Sequence, residues 1–96
     1  MPAYMLFIRE GAIRDQAEID IYKRMNRSYP RDPNMTPLSV YAAIEALEGD
    51  APDGMVLLQF PTVEDAKAWY NSPEYQAAIP HRKKGAEYRA LLFQGL

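Results

Sequence analysis

"LSVYAAIEALEGDAPDGMVLLQF", residues 38–60, decides what kind of fold this chain makes. Its Ala and Glu residues favour a helix, whereas Val40 and Tyr41 at its head favour a strand. The turn GDAPDG, residues 49–54, leads straight into the apolar run MVLLQF, residues 55–60. Two such runs joined by a short Gly, Asp and Pro segment make a hairpin, so residues 38–49 and 55–60 read as paired strands.

Outward from that hairpin the remaining elements fall into place. Ala3 to Ile8 is a short apolar run bounded by Pro2 and Arg9-Glu10-Gly11, which suits a buried strand. Asp15 with Glu18 three positions on resembles a capping box, and Ala17, Ile21, Met25 and Tyr29 follow at four-residue spacing. A helix over residues 16–28 is expected. The segment YPRDPNMTP, residues 29–37, carries three prolines and must be a loop. Thr62 and Asp65 start a second helix with Val63, Ala66, Trp69 and Tyr70 on its apolar face. Ser72 and Pro73 interrupt it and cap a new segment expected to end near residue 79, before Pro80. YRALLF, residues 88–93, reads as the last strand.

The order strand, helix, strand, strand, helix, strand is the ferredoxin-like βαββαβ arrangement in one α+β domain spanning residues 1–96. It places both helices on one face of a four-stranded antiparallel sheet. The other face would meet water in a monomer, and its strands should then alternate apolar with polar residues. Ala3 to Ile8, Met55 to Leu58 and Ala90 to Phe93 do not alternate. A homodimer through the open face of the sheet is therefore expected, because an exposed apolar sheet is an aggregation liability.

Composition excludes several function classes. With 96 residues, 48% hydrophobic and 25% charged, the chain is an ordinary globular domain. A chain of this length buries roughly 60–65% of its unfolded surface and gains from a partner. A net charge of -2 argues against nucleic-acid binding. Lys23, Arg24, Arg27 and Arg31, and likewise Arg82, Lys83 and Lys84, fall at expected helix ends, where cations complement the macrodipole. The absence of cysteine removes disulfides, zinc-thiolate sites and thiol nucleophiles. The apolar run in MPAYMLFIRE is too short for a signal sequence or membrane span, so a soluble cytoplasmic protein without membrane contact is expected.

Candidate chemistry gathers around AWYNSPEYQAAIPHR, residues 68–82. His81 is the only histidine and the only side chain whose unperturbed titration lies near neutrality, although a place at a helix end accounts for it equally. A single histidine without cysteine cannot build a multi-histidine metal site, and no flanking signal marks a haem ligand. No cofactor and no metal are expected. Arg82 has the fork to bind a substrate carboxylate, or to pair with Glu74 instead. The phenols of Tyr70 and Tyr75 are able to donate hydrogen bonds from an apolar wall, and Trp69 reads as core or interface filler. Tyr70, Ser72, Tyr75, His81 and Arg82 are thus the candidates to line a ligand pocket, with no catalytic residue assigned. Glu10, Glu45 and Glu48 lie in or beside expected strands, where a carboxylate is usually solvated and only seldom a buried base. No phosphate-binding glycine loop or nucleophile elbow is present.

Leu47-Glu48-Gly49, Phe60-Pro61, Trp69-Tyr70, Ser72-Pro73-Glu74-Tyr75-Gln76, Arg82 and the closing ALLFQGL carry a resemblance to the domain-of-unknown-function family 1330. The matching motifs cover about half the chain. The resemblance implies a dimeric α/β-barrel in which two ferredoxin-like sheets face one another. That superfamily includes cofactor-independent monooxygenases, lactone isomerases, haem-dependent enzymes and plain stress or binding proteins, so fold does not fix function. Gln59 and Gln94 stand where the family usually has glutamate, and the loop NRSYPRDPNMTP lacks the family's His and Gly-Gly pattern. Three readings follow. One is a homodimer that binds a small organic ligand or acts on it without a cofactor; the alternative is a non-catalytic dimeric interaction or stress-associated module; the third, a haem or metal enzyme, has the least behind it.

Overall fold

The computed structural model describes residues 1–96. Its central strand is β1 (Ala3–Arg9), flanked by β3 (Gly54–Phe60) and β4 (Tyr88–Gln94), with β2 (Thr36–Val40) at the edge beyond β3. All neighbours run antiparallel, in the order β2-β3-β1-β4. The helices are α1 (Gln16–Ser28), α2 (Val63–Tyr70) and α3 (Pro73–Gly85). This is the ferredoxin-like α+β fold, with its second helix broken in two.

Local capping chemistry sets each helix start. Asp15 accepts a hydrogen bond from the backbone N–H of Glu18, and Thr62 accepts one from that of Asp65 while its own hydroxyl donates to the Asp65 carboxylate. Ser72 accepts from the N–H of Tyr75, and Pro73 occupies the first turn, where its missing N–H has no partner to lose.

Three expectations need correction. The second strand covers residues 36–40 and not 38–49, because Tyr41 turns into the left-handed region at φ 50° and ends the ladder. The Ala- and Glu-rich residues that follow have little to gain from a pleated surface, so β2 and β3 are joined by a long irregular connection rather than a tight turn. The last helix does not stop before Pro80 but runs through it to Gly85. Pro80 leaves the carbonyl of Gln76 without its helical donor, and both residues lie on the exposed side, where water can serve that carbonyl.

The apolar stripe of α1 is also rotated from the expected one. Ile19 is its buried residue, whereas Ala17 is exposed. Ile19 lies on Gly85, where a Cβ would come 2.4 Å from its Cδ1 atom, so the glycine permits the close approach of α1 to α3. The N–H groups of Arg14 and Asp15 both donate to the Gly85 carbonyl, at 2.7 and 3.2 Å.

Met5, Phe7, Leu58, Phe60, Ala66, Tyr75 and Ile79 form the core between sheet and helices. On the opposite face the register sets three rows across β3, β1 and β4: Gln59–Tyr4–Phe93, Leu57–Leu6–Leu91 and Met55–Ile8–Arg89. Seven of these nine residues are apolar, and Leu91 and Phe93 are 44% and 48% exposed. The molecule is only 16 Å through its thinnest dimension, one helix layer on one sheet, so no second layer covers this face, although Ile8 in its third row is buried. No helix is long and apolar enough to cross a membrane.

Candidate functional site

A cleft of about 1090 Å³ opens between the inner face of the sheet, α1, the loop before β2 and the joint between α2 and α3. Phe7, Val56 and Leu58 form its floor. Tyr22 and Asn26 reach in from α1, where they stand at i+3 and i+7 from the buried Ile19 and so share its face. Trp69, Ser72 and Tyr75 come from the helix joint, and Arg82 and Tyr88 close the deep end.

Arg82 is the unusual member. It is 3% exposed, yet its guanidinium enters none of the three ion pairs of the chain, and its Nε is buried with no hydrogen-bond partner. The rings of Phe7 and Tyr88 lie 5.4 and 5.3 Å from its Cζ. Cation–π contact softens the cost of burying the charge without neutralising it.

Beside it, the hydroxyls of Tyr22 and Tyr75 share a hydrogen bond of 2.7 Å. Burial raises the pKa of both phenols above its ordinary value, and the Arg82 charge pulls the other way without overcoming that effect. Both stay protonated donors. The Tyr75 ring packs on Trp69 with centroids 4.2 Å apart. Tyr41 and Tyr88 share a second hydroxyl contact of 2.6 Å, and burial followed by the bond to Tyr88 raises the Tyr41 pKa. These two rings also line a smaller cavity of about 290 Å³ next to the main cleft.

The tyrosines give a measurable consequence. Their folded pKa values lie above the unfolded value of about 10, so the stability they contribute is complete below about pH 10 and falls at higher pH, where only the unfolded chain releases the protons. Ultraviolet titration of the seven tyrosines should show Tyr22 and Tyr75 ionising only together with loss of structure. Reversible ionisation of all seven in the folded protein would contradict the burial argument.

The five residues singled out from the sequence separate into two groups. Ser72, Tyr75 and Arg82 line the cleft. Ser72 is committed to structure, since its hydroxyl donates to the Trp69 carbonyl at 2.7 Å and caps α3. Tyr70 packs its ring 5.7 Å from that of Tyr75 but does not line the cleft. His81 lies outside as well, with its Nδ1 2.5 Å from a Glu18 carboxylate oxygen in a contact that ties α3 to α1. Glu74 does not pair with Arg82. Glu10 pairs with Arg89 on the surface, and Glu45 and Glu48 are exposed. The sequence reading passed over Tyr22, Tyr41 and Tyr88. Reading α1 from Ile19 would have found Tyr22, but no local signal marks the other two.

No curated protein matches this chain in sequence. Among solved structures it is similar to a protein of unknown function from Rhodopseudomonas palustris, with a TM-score of 0.66, 18% identity, and 99% of this chain and 82% of that one covered. A dimeric ferredoxin-like protein of unknown function from Thermobifida fusca gives a TM-score of 0.59 at 14% identity over 97% of this chain and 90% of that one. SnoaB, a cofactor-independent oxygenase from Streptomyces nogalater, matches at 0.59 and 11% identity over 98% and 90%. These likenesses establish the fold. The profile of the family described as domain of unknown function DUF1330 matches residues 2–96, and the chain belongs to that family.

Proposed function

We propose that the protein is a homodimer, packed through the open faces of its sheets, that binds a small organic molecule in the cleft between α1 and the sheet. One observation carries the ligand reading: a large apolar cleft into which a few polar groups converge, among them a buried guanidinium with no partner. The dimer is supported by the three apolar rows of the open face and by the dimeric state of the similar Thermobifida fusca protein. Action on the ligand without a cofactor draws support from the chemistry of SnoaB.

A binding role without catalysis is favoured by a separate observation. Tyr22 and Tyr75 hold their protons, and His81 is engaged with Glu18 outside the cleft, so none of these three is a base beside Arg82.

A thermal-shift panel of small aromatic acids, lactones, aldehydes and haem tests the ligand reading. A selective ligand at a hundred times its Kd should stabilise the protein by about 2.7 kcal/mol. A flat response across the panel would overturn it. Sedimentation at micromolar concentration tests the dimer, and a monodisperse monomer would overturn that.

A further inference from the structure

The deep end of the cleft is built for a negative charge. A buried cation is ordinarily paired, because removing it from water costs several kcal/mol unless an anion or hydrogen-bond acceptors replace the solvent. Arg82 has neither. Its Nε is sealed in, so the Nη groups are the donors left to meet an incoming group. The neighbouring phenols use one proton between them in their mutual hydrogen bond and leave one O–H to donate.

Charge around the cleft points the same way. Lys23, Arg27 and Arg31 join Arg82 in its lining against Asp32 and Glu74, four cations against two carboxylates in a chain whose net charge is -2. Lys23 and Arg27 follow Ile19 at four-residue steps along α1, so they present their charge on the cleft side of the helix. Such a lining draws anions in.

The shape of the ligand follows from what surrounds the guanidinium. Phe7, Tyr22, Trp69, Tyr75 and Tyr88 supply aromatic surface, which favours a planar body. One guanidinium and one spare phenol match the acceptors of a carboxylate, whereas a phosphate dianion calls for more donors than these two groups offer. We infer that Arg82 is the anion subsite of the cleft and that its ligand is an aromatic carboxylate. This rests on the cleft being a ligand site.

Benzoate and phenylacetate, with benzamide and inorganic phosphate as comparison probes, test the inference by amide chemical-shift titration of the full chain. The carboxylates should bind the wild type with shifts at the cleft. Arg82→Met should weaken them roughly 10- to 100-fold and leave benzamide unchanged. Arg82→Lys keeps the charge without the fork and should fall between. Carboxylate affinity within about twofold of wild type in both variants would overturn the subsite, and so would phosphate displacing benzoate at equal concentration. If benzamide binds the cleft as tightly as benzoate, the ligand site stands and the anion subsite fails. If none of the four shifts cleft resonances, both fail.

Discussion

Arg82→Met is expected to raise the thermal midpoint of the ligand-free protein by roughly 4–16 °C. Burying a charge carries an effective penalty of several kcal/mol when nothing pairs with it. Against that stand contacts with the Phe7 and Tyr88 rings, about 0.5–2 kcal/mol each, and the favourable place of a cation in the last turn of α3, about 0.3–1 kcal/mol. Methionine keeps the apolar stem, fills the site flexibly and retains contact with both rings. A net gain of about 1–2 kcal/mol remains, and each kcal/mol moves the midpoint of a domain this size by about 4–8 °C. Calorimetry of wild type and variant without ligand decides it. A drop of similar size would mean that the guanidinium holds the fold together. A gain would show a side chain kept at the expense of stability, the pattern expected of a residue retained for what it binds.

Leu6→Lys should split the proposed dimer. Leu6 sits on the central strand, with Leu57 and Leu91 on either side in the middle row of the open face. Two-fold pairing of that face brings each substitution near its copy, so two ammonium groups would be desolvated close together with no acid in the three rows to pair with. A loss of about 4 kcal/mol, or roughly a thousandfold in the dissociation constant, is expected. Sedimentation should report a folded monomer with a lower, concentration-independent midpoint, because association no longer adds to stability. An intact dimer would place the contact elsewhere.

What was legible in the sequence is what local chemistry determines. Asp15, Thr62 and Ser72 each announce a helix start through a side chain reaching three residues along the chain, and all three caps form. The strands that fail to alternate show directly that apolar residues stand on both faces of the sheet. What could not be read depends on distant partners. Tyr41 ends β2 early by a backbone turn that no propensity scale assigns to tyrosine, and it meets Tyr88 across 47 residues. Pro80 ends most helices but is harmless where the orphaned carbonyl faces water. Arg82 was visible as a candidate, but its isolation was not, because the lack of a partner is a property of the packed molecule.

The glycine at position 85 bears on the cleft in a further way. Ile19 and Gly85 fix α1 against α3, and Tyr22 and Arg82 stand about one turn away on either side of that contact. The distance between phenol and guanidinium is therefore set by close-packed atoms and not by a flexible tether. The entropy of arranging those two donors is lost when the chain folds, so the proposed anion would meet a preorganised pair and keep more of its interaction energy as affinity.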